Sequence, residues 1–252
     1  MLICLGVAAL NSWGQLLYEP FNYTPDAVNG IAQQSGGVWV RINSGDSILV
    51  TSGNLTYPGL PAPTGNKISF DGSGSDNYRV FGAQTSGTLY YSFILNVSSL
   101  GSLNTTGTYF TGFIQTASTS AFGGTVWSRQ SATAGKFNVG VSTRSNSTAS
   151  WLAADLDPGA TYFIVVAYEI ITGTANDVAK IWLNTAAIGG AEPAPDATSV
   201  PGTDLGAAGV ERILLRQDGA TTTPFINLDE IRVGTTWAAV TPSASVPVLS
   251  IS

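Results

Sequence analysis

At 252 residues, with 44% apolar and only 10% charged side chains, the chain is long enough for one large β-sandwich or two ordinary domains, and it carries far less charge than the ~25% usual in soluble domains. Its net charge is −6 and its ten Lys and Arg are spread singly, which argues against nucleic acid and anionic membrane surfaces as partners. Histidine is absent and cysteine occurs once, excluding Ser-His-Asp and Cys-His catalysis, the usual zinc sites and a disulfide framework.

The first element is the apolar run LICLGVAAL (residues 2–10), too short to span a bilayer and followed by Asn11, Ser12 and Gly14. Residues 1–15 read as a signal peptide that lacks its positive start, the alternative being a buried first strand. Short strands are predicted over 38–42, 48–51, 67–70 and 78–81. In 87–97 the residues Leu89, Tyr91, Phe93, Leu95 and Val97 share one face, with Tyr90, Ser92, Ile94 and Asn96 on the other, the pattern of a long, half-buried strand. Further strands are predicted over 109–115, 125–129 and 136–143. TYFIVVAYEII (161–171) is β-branched and aromatic enough to be covered on both faces near a sheet centre. A strand over 179–183 leads into 185–209, read as a long loop with at most one helical turn because Pro193, Pro195 and Pro201 break it. Strands over 212–217 and 226–233 close the domain, residues 16–241. Residues 242–252, rich in Ser, Pro and Val, read as a linker or the start of a further domain. Strands at ~8–12-residue spacing without helical periods predict an antiparallel two-sheet sandwich.

Chemistry-bearing residues are sparse. The five Glu are scattered, and nowhere do acidic residues recur at i, i+2, i+4 on one strand face as a jelly-roll glycosidase would have them. Asp71, Asp76 and Asn77 in DGSGSDN, and Asn176 and Asp177 in GTAND, are oxygen ligands suited to calcium. Turn chemistry explains both clusters more simply, since Asp, Asn and Gly supply Asx-turns and positive φ. Trp127, Trp151 and Trp182 are candidates for stacking on a sugar ring, against the alternative of core packing. In 226–233 the apolar parity changes between Leu228 and Ile231, which requires burial on both faces or a bulge near Asp229 and Glu230. Glu230 and Arg232 then share a face and can pair, and Asp229 needs a backbone or Arg partner; all three read as structural.

LLYEPFNY (16–23), GTANDVAKIWLN (173–184) and INLDEIRVGTTWAAVTP (226–242) together resemble the laminin G-like, concanavalin A-type jelly-roll modules of secreted and cell-surface bacterial proteins. The matching positions are Asp177, Trp182 and Asn184 in the central segment, and Asp229, Glu230, Ile231, Arg232 and Gly234 in the closing strand. The resemblance implies an all-β, antiparallel two-sheet jelly roll of the concanavalin A-like lectin/glucanase type. It implies a secreted or cell-surface, non-catalytic recognition module that binds glycan, requires no cofactor or takes calcium, and does not insert in membranes. A structural or adhesive surface protein, or a glycoside hydrolase with an unrecognised carboxylate pair, are the alternatives.

Overall fold

The computed structural model describes residues 14–244. Residues 1–13 of the expected signal peptide and 245–252 of the expected linker lie outside the described residues. Fifteen strands are formed: β1 (Gln15–Glu19), β2 (Val40–Arg41), β3 (Leu49–Thr51), β4 (Lys67–Phe70), β5 (Asn77–Gln84), β6 (Gly87–Ser99), β7 (Thr108–Gln115), β8 (Phe122–Gln130), β9 (Phe137–Arg144), β10 (Ser150–Trp151), β11 (Thr161–Ile170), β12 (Val178–Leu183), β13 (Ala197–Thr198), β14 (Val210–Leu215) and β15 (Phe225–Gly234). Two helical turns, α1 (Ile31–Gln34) and α2 (Trp237–Val240), complete the described residues.

The strands form two antiparallel sheets packed face to face, the sandwich expected from the alternating pattern and the jelly roll implied by the resemblance. The first runs β13-β12-β11-β6-β15-β4-β3, with β1 sharing an edge of β15; the second runs β10-β9-β8-β7-β14-β5-β2. Alternate residues of each sheet meet in the central core. Leu89, Tyr91, Phe93, Leu95 and Val97 of β6 and Tyr162, Ile164, Val166 and Tyr168 of β11 face Phe110, Phe113, Val126, Val139, Ile213 and Leu215 of the second sheet.

β6 departs from the half-buried reading, because its opposite face is covered too. Tyr90 and Ile94 join Phe163, Val165, Ala167, Trp182, Trp237 and Val240 in a second apolar cluster, roofed by Leu55, Tyr57, Leu60 and Ile188 from loops. The 185–209 segment contains the short strand β13 rather than a helical turn, and Gln15 already pairs with Gly234 inside the sheet.

β15 resolves the parity change with a bulge. Asp229 opposes Ile94 and Arg232 opposes Ser92, so two residues face one. Glu230 takes φ +56 there, a left-handed conformation costing roughly 1–3 kcal/mol for a non-glycine residue. The Asp229 carboxylate holds the turn, accepting from Glu230 N at 2.7 Å and from Leu55 N of the covering loop at 2.8 Å. Burial pushes the Asp229 carboxyl up to about 7, against the pull of those two donors. A folded-state value above the ordinary 3.8 means that folding takes up a proton. The stabilisation tied to that proton is fully present below about pH 4 and is lost as pH rises through about 7. Asp229→Asn has no such dependence. Its deficit against wild type in urea unfolding is expected to shrink by on the order of 4 kcal/mol between pH 4 and pH 8; a pH-independent deficit would contradict this assignment.

Candidate functional site

The outer faces of the two sheets differ. Loops and α2 close that of the first sheet, whereas the second sheet keeps its outer face carpeted mainly by its own side chains. Its floor is Ile114, Leu214 and Phe122, with Tyr78, Tyr109 and Trp127 laid on it. The inward turn of Ile213 and Leu215 puts Arg212, Leu214 and Arg216 outward by strand alternation.

Registers align these residues in a row across the strands. Arg216 N bonds Phe110 O beside Tyr109, Tyr109 opposes Trp127, Trp127 opposes Gly140, and Gly140 opposes Trp151. The Tyr109 and Trp127 rings stand 5.5 Å apart. Trp127 Nε1 donates to Ser142 Oγ at 2.8 Å and Thr125 Oγ1 at 3.0 Å, which fixes the indole over β8 and β9.

Each of three arginines lies over an aromatic ring of this face. Arg216 stands 4.2 Å from the Tyr109 centroid, Arg212 4.6 Å from Tyr78 and Arg129 4.1 Å from Trp151. Such stacking holds the guanidinium in one orientation with its edge turned toward a carboxylate. Arg216 also pairs with Asp218 and approaches Asp76 at 3.8 Å, and Arg212 pairs with Glu211 at 2.6 Å. Burial raises the Tyr109 phenol, with Arg216 pulling the other way, so Tyr109 keeps its proton at neutral pH. Burial likewise pushes Asp76 up to about 6.

Gly140 makes the stack on β9 possible. A Cβ there would meet Ser150 O at 2.7 Å and Trp151 Cε3 at 2.8 Å, so the indole lies directly on the glycine. Gly140→Ala is expected to cost about 1–3 kcal/mol and to displace Trp151 together with Arg129, read as a lowered melting temperature and changed tryptophan fluorescence. Wild-type values in both would contradict this packing.

The residues singled out in the sequence fall in different places. Trp127 and Trp151 come together on the open face, but Trp151 is covered by Gly140 below and Arg129 above, so it is a platform for the arginine rather than for a sugar. Trp182 is 1% exposed, packed on Trp237 at 4.9 Å and donating to Pro193 O, and it is withdrawn as a stacking residue. Asp76, Asn77 and Asp177 spend side-chain oxygens on hydrogen bonds within the fold, whereas Asn176 Oδ1 is buried without a hydrogen-bond partner. Asp76 accepts from Gln217 N beside the Arg216 cation, and Asn77 Oδ1 accepts from Ser75. Asp71 contributes its backbone N–H to Gln217 Oε1. Asp177 accepts from Tyr168 Oη and Ile171 N, while Asn176 N and Asp177 N both donate to Asp204. These are loop ties, and no group of three or more His, Cys, Asp or Glu among the described residues could hold a metal. Glu230 meets Arg232 at 2.6 Å and Tyr18 Oη at 2.9 Å in a buried cluster away from the open face. No helix of the described residues is long and apolar enough to cross a membrane.

What the sequence reading missed is the basic half of the face. Arg212 and Arg216 alternate with the inward Ile213 and Leu215 in VERILLRQ, a visible i, i+4 signal on one strand face. Their aromatic partners lie on β5 and β7, and only strand pairing brings them together.

No protein-family model matches the chain, and no curated protein matches its sequence. Among solved structures, alginate lyase Aly36B in complex with alginate tetrasaccharide superposes with a TM-score of 0.53 at 12% identity, covering 84% of this chain and 93% of that one. An endo-β-1,4-glucuronan lyase from the fungus Trichoderma reesei superposes with a TM-score of 0.51 at 14% identity, covering 92% of this chain and all of the other. At such identities the likeness establishes the fold, and the laminin G-like resemblance holds only as far as the jelly-roll sandwich. The expectation of a non-catalytic, non-enzymatic recognition module is corrected by these two matches, which are polysaccharide lyases by name.

Proposed function

We propose that the chain is a polysaccharide lyase that cleaves an acidic, uronate-containing polymer across the open face of the second sheet. The observation that carries this reading is the set of ring-mounted arginines on that face, in a chain whose net charge is −6. A polymer with a carboxylate on every sugar is the glycan such a face complements. The lyase structures that share the fold act, by their names, on alginate and glucuronan, which are polymers of this kind. A larger cleft of about 750 Å³ near Asp46, Asp71 and Phe225 has no basic side chain among its lining residues.

The reaction is an elimination. A base removes the proton on the carbon next to the carboxylate, its electron pair forms a carbon–carbon double bond, and the glycosidic C–O bond on the next carbon breaks. The departing oxygen takes a proton from an acid, and no water is consumed. Arg216 beside the carboxylate offsets the charge that builds on it, a role worth most on a partly dehydrated surface. Tyr109, kept protonated by burial, supplies the proton to the departing oxygen. Tyr78, with the Arg212 cation over its ring, is the side chain assigned to take the first proton, acting as the phenolate after its own proton has passed to solvent. Trp127 offers the apolar face for the sugar ring. A substrate of this size is met outside cells, which supports secretion.

Alginate and glucuronan, each alone and after chemical reduction of its carboxylates to alcohols, test the reading through the ultraviolet absorbance of the new conjugated double bond. Absorbance is expected to rise with at least one native polymer and with neither reduced one. No rise with any acidic polymer would overturn it.

A further inference from the structure

We propose that Arg129 forms a second carboxylate-reading subsite, distal to the reacting sugar, in the cleft it shares with Gln130, Asn138, Leu152 and Asp155. This rests on the lyase reading for its substrate class. The cleft has a volume of about 420 Å³, within the range of small-ligand sites. Among the described residues Arg129 is unlike the other nine Lys and Arg side chains. Arg79, Lys136, Lys180, Arg212, Arg216 and Arg232 have carboxylate partners. Arg41, Lys67 and Arg144 donate to backbone carbonyls. Arg129 is half-buried and has only its ring contact with Trp151. An arginine mounted on an indole with all its donors unspent is prepared for a partner from outside.

The rest of the cleft lining specifies that partner. Asp155 accepts from Ser131 Oγ and Thr133 Oγ1 at 2.5 Å and from Asn138 Nδ2 at 2.8 Å. Those bonds hold its carboxyl down at about 2, so it stays charged across the working pH range. Arg129 and Asp155 line one cleft without forming an ion pair. An anion with no donors, such as sulfate, is attracted by Arg129 and repelled by Asp155. A hexuronate satisfies both, giving its carboxylate to Arg129 and its ring hydroxyls to Asp155 and Gln130.

The position suits a second sugar of the same polymer. Arg129 lies two residues beyond Trp127 on the same face of β8, or ~7 Å along the strand, and two strands from Arg216, ~10 Å across the sheet. The subsite therefore sets chain-length preference: oligomers long enough to reach Arg129 bind more tightly than those that occupy only the Arg216–Tyr109 region.

Steady-state kinetics on oligoglucuronates from disaccharide to hexasaccharide, with wild type, Arg129→Gln and Asp155→Asn, provide the test. In wild type KM is expected to fall with length. In Arg129→Gln the KM for the hexasaccharide rises about 10- to 100-fold, the loss of one charge-assisted bond, and the ratio of short- to long-oligomer KM collapses toward one. Asp155→Asn shows a smaller loss of the same kind. A length dependence that survives Arg129→Gln overturns the proposal, as does an equal loss on oligomers of every length. Titration calorimetry of the hexasaccharide and its carboxyl-reduced form keeps this test separate from that of the lyase reading. Even if no bond is cleaved, Arg129→Gln must weaken the acidic ligand and not the neutral one; equal binding of the acidic ligand by both proteins refutes the subsite.

Discussion

Tyr109→Phe is expected to lower kcat on an acidic polysaccharide by about 10²- to 10⁴-fold, the usual contribution of a positioned proton donor, with KM close to wild type. The substitution keeps the ring, and with it the contacts to Trp127, Phe122 and Arg216. What is lost is the hydroxyl that burial keeps protonated. Because the ring remains, an intact unfolding midpoint is expected alongside the lost turnover. A fall confined to kcat marks an interaction made in the transition state. Arg216→Ala should act differently, lowering kcat/KM by about 10²- to 10³-fold through both parameters, because the guanidinium meets the carboxylate before and during the reaction. It also removes the cation beside Asp76, whose raised value should climb further. A Tyr109→Phe enzyme with wild-type kcat would remove the phenol from the mechanism and leave only a binding role for its ring.

The largest stability effect is expected in the first sheet, where β1 pairs with β15. Arg232→Leu should cost about 3–5 kcal/mol, because it leaves a buried carboxylate without its cation. Glu230 is 1% and Arg232 4% exposed in their side chains. The guanidinium meets the carboxylate at 2.6 Å, donates to Glu230 O at 3.2 Å and lies 4.6 Å from the Tyr18 ring. Tyr18 Oη, from β1, supplies the remaining bonds to the carboxylate, so the cluster joins the first strand to the last. The double variant Glu230→Leu, Arg232→Leu should recover much of the loss, since no uncompensated charge then remains. Urea midpoints of the three proteins decide this. A double variant as unstable as the single one would show that the ion pair itself, and not the orphaned charge, holds the strands.

These two regions mark where a single sequence can and cannot be read. Local alternation suffices for the sandwich: Leu89 to Val97 on one face, the fully apolar 161–171 strand, and the parity change in β15 are all nearest-neighbour patterns. The covering of β6 on its second face is not local, since Tyr90 and Ile94 are met by Trp237 and by loops around Leu60 and Ile188. β1 is concealed because Gln15 to Glu19 continue directly from an apolar run that reads as a leader. In the site, Trp127 and Trp151 stand out as aromatic residues, but their meaning depends on pairings such as Tyr109 with Trp127 and Leu215 with Thr111. Recurring acidic residues carry the wrong charge to mark this face, which is organised around arginines.

The central claim is that this face cleaves a uronate polymer by elimination, and product mass tests it most directly. Purified protein incubated with a defined oligoglucuronate, and the fragments weighed by mass spectrometry, should give pairs whose masses sum to that of the parent, one of them carrying the new double bond, with Tyr109→Phe giving almost none. Pairs that together exceed the parent by one water would show hydrolysis and contradict the account, as would a parent that remains intact.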